Sequence, residues 1–108
     1  MYADAAALFA HLPAEQFPGH ALACALYLEG GVRTCEIGSL MFPPGARPPG
    51  SPELTRLAVP WRTYTDSHLE HVAETFAKIV ARRSSMRGMK IVTAPSALRH
   101  FRAVLAPV

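Results

Sequence analysis

Lysine is nearly missing from this chain: Lys78 and Lys90 stand against nine arginines. The arginines run from Arg33 to Arg102 without the basic cluster and interleaved aromatics of a nucleic-acid footprint, so a formal net charge of +3 does not imply nucleic-acid binding. Only Arg82-Arg83-Ser84-Ser85-Met86-Arg87 approaches such a cluster. It falls at an expected helix end, where cations complement the helix dipole. Cysteine is equally sparse. Cys24 and Cys35 are too few for a disulfide framework and read as reduced, buried thiols. The five histidines show none of the spacings that bind zinc. No apolar run reaches membrane-spanning length, and no basic segment precedes an apolar core at the N-terminus. The expectation is a soluble, non-exported, cytoplasmic protein with no membrane partner. A glycine-rich phosphate loop, a supported Ser/His/Asp order and a carboxylate pair in a distinctive setting are also missing, which removes the usual self-contained catalytic motifs.

What is present is apolar. Half of the 108 residues are hydrophobic and mean hydropathy is +0.14, high for a freestanding domain of this size. Such a chain either builds a core rich in Ala and Leu or turns apolar surface toward a partner. The start, Met1-Tyr2-Ala3-Asp4, enters apolar sequence without a polar lead, as expected of a piece of a larger domain.

Residues Tyr2 to His11 read as a short Ala-rich helix closed before Pro13. A second helix is expected from Gly19 to Glu29, stopped by Gly30-Gly31. Val32 to Phe42 reads as a strand with Cys35, Ile37, Ser39 and Met41 on one face and Thr34, Glu36, Gly38 and Leu40 on the other. Glu36 in that alternation faces either water or a buried role, and Gly38 marks a bulge or a close approach. Five prolines and two glycines between Pro43 and Pro52 predict a loop, joining this strand to an antiparallel neighbour at Glu53 to Val59. Inside that neighbour sits Arg56, flanked by Leu54, Leu57, Ala58 and Val59. A guanidinium there is either at the mouth of a site that takes a carboxylate or phosphate, or on the wet face of an ordinary strand.

The most regular pattern runs from Ser67 to Arg83. Leu69, Val72, Phe76, Ile79 and Val80 repeat at helical spacing, and Ser67 with Glu70 matches a capping box. His68 and His71 read as cap or surface residues. Met89 to Thr93 predicts a short strand, and Leu98 to Leu105 a final extended or helical piece. The whole is expected to be one α+β domain over residues 1–108, with helices packed on a largely antiparallel sheet.

Several stretches occur in family order: Gln16-Phe17-Pro18-Gly19-His20-Ala21-Leu22-Ala23, Leu28-Glu29-Gly30-Gly31-Val32 continuing to Ser39, Arg56-Leu57-Ala58-Val59-Pro60 with Tyr64-Thr65-Asp66-Ser67-His68, and Leu98-Arg99-His100-Phe101 continuing to Leu105. Together they resemble the C-terminal part of the β-eliminating lyases, the tryptophanase and tyrosine phenol-lyase family of fold-type-I pyridoxal-phosphate enzymes. The resemblance covers nearly the whole chain and implies the small C-terminal domain of such an enzyme. It also implies cleavage of L-tryptophan to indole, pyruvate and ammonia, with pyridoxal phosphate as cofactor and a monovalent cation in the full enzyme. By resemblance Arg56 binds the α-carboxylate of an aromatic amino-acid substrate. Ile37 stands where the phenol-lyases have an arginine, and His100 matches a tryptophanase histidine near the substrate ring, so both favour an indole pocket. Neither Lys78 nor Lys90 lies in anything like the family's Schiff-base lysine motif. The resemblance therefore implies no catalytic or cofactor-binding residue in this chain, inactivity alone, and a missing cofactor-binding portion or a homo-oligomer as partner. The proline-rich loop and Trp61, where relatives commonly have arginine, also depart from the pattern. Three alternatives stand beside this reading: a phenol-lyase-like fragment, a non-catalytic binding or oligomerisation module, and an unrelated anion-binding domain that uses Arg56.

Overall fold

The computed structural model describes all of residues 1–108. Two antiparallel sheets and four helices make an α+β arrangement. The first sheet has the order β1-β3-β2, with β1 at Tyr2–Asp4, β2 at Cys35–Ile37 and β3 at Leu54–Arg56. Tyr2 and Cys35 both lie opposite Arg56, while Ala3 and Glu36 both lie opposite Thr55. Because strand side chains alternate, Ala3, Glu36 and Thr55 share the inner face, and Tyr2, Cys35, Ile37, Leu54 and Arg56 share the outer one. The antiparallel pairing across the proline-rich loop is as expected from sequence. The second sheet pairs β4 (Met89–Thr93) with β5 (Val104–Pro107).

Helices α1 (Ala5–Leu8), α2 (Pro18–Gly30) and α3 (Asp66–Ala81) enclose the core, which consists of Ala5, Phe9, Ala21, Leu22, Ala25, Leu26 and Ile79. The last helix, α4 (Arg99–Arg102), is one turn preceding β5. Helix α2 begins with Pro18 in its first turn, where a missing N–H costs nothing, and Gly31 ends it in the left-handed conformation. Along β3 and α2, Thr55 Oγ1 donates to the carbonyl of Gly19 at 2.8 Å, fastening the inner face to the helix. No helix is long and apolar enough to cross a membrane.

Four expectations are corrected. Tyr2 to His11 is not one helix: β1 precedes a single turn of α1, and Asp4 caps that turn by accepting the Ala7 N–H at 2.9 Å. Pairing with β3 overrides the helix propensity of alanine, because Ala5 N–H reaches Glu53 O and Leu57 N–H reaches Met1 O, both at 2.9 Å. The strand expected from Val32 to Phe42 shrinks to Cys35–Ile37 and turns into a 3-10 turn at Ser39–Met41. Two carboxyl groups accompany this turn: Glu53 takes the Ser39 N–H at 3.0 Å and Glu36 the Leu40 N–H at 3.2 Å, so neither is left for pairing with β3. On α3 the capping pair is Thr65 and His68 rather than Ser67 and Glu70: His68 Nδ1 accepts the Thr65 N–H at 3.1 Å. Finally, the buried stripe of α3 is Thr75 and Ile79, while Leu69 and Val80 remain 42% and 37% exposed. The basic run ends α3 as expected, with Arg83 donating to the Val80 carbonyl at 3.1 Å.

Candidate functional site

The three residues singled out by resemblance are distributed around β2. Arg56 lies at the end of β3, exposed on the outer face. That places it on the wet side of the strand rather than in a buried mouth. Its guanidinium takes part in none of the ion pairs or side-chain hydrogen bonds within the chain. Ile37 is half-buried on the same outer face, one pair further along the ladder. His100 approaches from α4, at the edge of β2, with its side chain only 14% exposed. Nε2 of His100 lies 3.1 Å from the main-chain oxygen of Glu36 and 3.1 Å from its carboxyl Oε2, with hydrogen-bond geometry toward the main-chain oxygen. The same ring lines a cavity of about 650 Å³ together with Met41, Ile91, Leu98, Arg99 and Phe101. Arg56 and Ile37 are not part of that lining.

Beneath this arrangement lies a polar cluster that the sequence did not reveal. Glu36 and Glu53 are 3% and 2% exposed, and they meet across Gly38. A Cβ at Gly38 would fall 2.7 Å from Glu36 Oε1 and closer still to Glu53 Oε2, so the glycine is what lets the two carboxyl groups pack there. A carboxylate pair in a distinctive setting thus exists after all. It is assembled from residues 17 apart in sequence, whose proximity depends on the fold of the proline-rich loop and the β2–β3 register. The alternation of Glu36 with Gly38 in an apolar strand was its one visible trace.

Each carboxyl group has a different environment. Glu53 Oε1 accepts from Ser39 N–H at 3.0 Å and from Ser39 Oγ, and forms an ion pair with Arg47 at 3.0 Å. Arg47 is held in turn by the Ser51 carbonyl. Glu36 has only the Leu40 N–H on Oε1. Burial pushes the Glu36 carboxyl up to about 7; the Leu40 hydrogen bond opposes that, the charge of Glu53 adds to it, and Arg99 and Arg47 pull it back. Glu36 is therefore a carboxyl group that changes charge near neutral pH. His20, on α2, is lowered by burial and then by His100. Buried side-chain atoms without a hydrogen bond include Oε2 of both glutamates and Nε of Arg47 and Arg99. No group of three His, Cys, Asp or Glu residues has the geometry to hold a metal ion.

The residues present do not fit pyridoxal phosphate. Lys78 reaches Glu29 at 3.8 Å from an exposed position on α3, and Lys90 is exposed on β4, so neither faces a cavity where a Schiff base would be shielded from water.

Over 106 aligned positions, gaps included, the chain is 43% identical to tryptophanase of Hyphomonas neptunium, and over 110 aligned positions 49% identical to a probable tryptophanase of Halobacterium salinarum. Those matches take in 95% and 100% of this chain. The chain matches the C-terminal part of tryptophanase. A further relative, tryptophanase of Salinibacter ruber, is 46% identical over 99% of the chain. The chain spans only 23–24% of the length of these relatives. No family model matches it.

Proposed function

We propose that this chain is the C-terminal, substrate-holding portion of a tryptophanase-like β-eliminating lyase, the small domain of a fold-type-I pyridoxal-phosphate enzyme. The observation that carries the reading is identity of 43–49% along 94–100% of the chain. Arg56 supports it, because an exposed guanidinium without a partner inside the chain is free to clasp a substrate carboxylate bidentately. Such a clasp fixes the amino acid against rotation and aligns the bond to be broken. Ile37 offers an apolar contact on the same face, and His100 adds a polar one at the edge of β2. In the full enzyme pyridoxal phosphate would supply the electron sink for elimination, held by a lysine from outside this chain. On this reading the chain needs a lysine-bearing portion as partner, in the same assembly or as a separate subunit, and lacks activity alone.

The test is a graft in which this chain replaces the corresponding C-terminal part of the Hyphomonas tryptophanase, with indole release from L-tryptophan as the signal. The graft should turn over, and Arg56→Ala should raise KM for tryptophan at least tenfold, the scale of one lost charge-assisted bond. The isolated chain mixed with pyridoxal phosphate should release no indole. Turnover by the isolated chain, or a graft indifferent to Arg56, would sink the proposal.

A further inference from the structure

His100 is the residue whose role depends most on orientation, and its surroundings fix that orientation. Nε2 lies 3.1 Å from two oxygens of one residue: the main-chain oxygen of Glu36, toward which it has hydrogen-bond geometry, and the carboxyl Oε2, which sits close beside it without a hydrogen bond. Both are acceptors when the carboxyl is ionised, so the nitrogen between them must carry a proton. Nδ1 makes no hydrogen bond within the chain. The carboxyl group itself is held in place, because its other oxygen accepts the Leu40 N–H at 3.2 Å and the residue is buried.

We propose that Glu36 is the positioning residue for His100: its main-chain oxygen and buried carboxyl together hold the imidazole with Nε2 protonated and turned inward, leaving Nδ1 as a hydrogen-bond acceptor for a donor group on the ligand. The acceptor function at Nδ1 suits a ring N–H, whereas a ring that offered only acceptors would find no partner there. That last step, which sets ligand preference, rests on the lyase reading; the geometry of the ring does not.

Glu36→Gln separates the two. Glutamine is nearly the same shape, and its Oε1 would stay with the Leu40 N–H, so its NH₂ would take the place of Oε2 and oppose the Nε2 proton with a donor. The measurement is imidazole ¹⁵N NMR of the isolated chain, labelled at histidine, at about pH 8, where an unperturbed imidazole is neutral. His100 is assigned by its loss in His100→Gln. In the unsubstituted chain His100 should show a protonated Nε2, and in Glu36→Gln its signals should move to the Nδ1-protonated form or to a mixture of tautomers. A purely structural role for Glu36 predicts no tautomer change in a folded variant. An Nδ1-protonated His100 in the unsubstituted chain overturns the proposal even if Glu36→Gln does not fold, and so does an unchanged His100 signal in a folded variant. In the grafted enzyme, Glu36→Gln should lower kcat/KM for tryptophan about tenfold, as expected for one misdirected hydrogen bond. Equal turnover of the two grafts overturns the functional part. A graft inactive with Glu36 intact instead counts against the lyase reading, and the ring spectra still decide the geometry.

Discussion

The core between α1, α2 and α3 and the cluster around Gly38 are both buried, but they are held together by different physics. Leu22, Leu26, Phe9 and Ile79 are fully buried and need only volume and shape. Glu36 and Glu53 are almost as inaccessible, and they need partners, because a buried carboxyl left without them costs far more than a buried methyl group gains. The first region is therefore insensitive to pH and tolerant of apolar exchange. The second responds to protonation and to a single added carbon.

The strongest test of this contrast lies in the apolar region. Leu22→Ala removes a side chain with no exposure and should cost about 2–5 kcal/mol in urea unfolding, with the same loss at pH 5.5 and pH 8. A loss that varied with pH would tie this core to the polar cluster and dissolve the distinction.

Next in size is Gly38→Ala. The new Cβ would collide with both carboxyl groups, so about 1–3 kcal/mol should be lost, as for other overpacked sites. Unlike the leucine variant, it should also disturb the His100 signals. Unchanged stability would mean that the carboxyl groups yield more easily than their burial implies.

The pH response should be resolvable into two opposed parts. Glu36 is raised from 4.5 to about 7, so within that interval the folded chain holds a proton that the unfolded chain has lost. Its contribution is most favourable below the unfolded value and is lost as pH rises through about 7. His20 is lowered from 6.5, so it is neutral in the folded chain where the unfolded chain is protonated, and it weakens the fold as pH falls below 6.5. Glu36→Gln should leave stability rising with pH across this range, and His20→Gln should leave it falling. Urea midpoints at several pH values check both; parallel curves for the two variants would refute the assignment.

Much of this was legible in the sequence. Periodicity located α2 and α3, and turn residues located the proline-rich loop with the antiparallel pairing across it, because these signals are local. The substrate-binding role proposed for Arg56 comes from resemblance in the residues around it, whereas the structure gives its exposed place at the end of β3. Burial of Glu36 was not legible, because the same alternation serves a wet face and a buried one, and only the partner on the other side tells them apart. Leu69 and Val80 misled for the converse reason: helical spacing marks a face, and the amount of that face that is covered depends on what packs against it.

The smallest expected effect is at the surface. Arg82 meets Glu29 at 2.6 Å, but the arginine is half exposed, so Arg82→Ala should cost no more than about 1 kcal/mol and the cost should fade with added salt. A larger, salt-independent loss would show that the contact between α2 and α3 relies on charge as much as on the packing of Ile79.

By itself the sequence determined the local elements that spacing and turn chemistry encode, and the family likeness through motifs that keep their order. Tertiary structure alone decided that β1 forms where a helix was expected, that β2 ends after three residues, and that Glu36, Glu53, Arg47, Arg99 and His100 come together. The reason is common to all three. Each depends on a hydrogen bond or a charge contributed by a residue far away in the chain, and such partners leave no period or spacing to read.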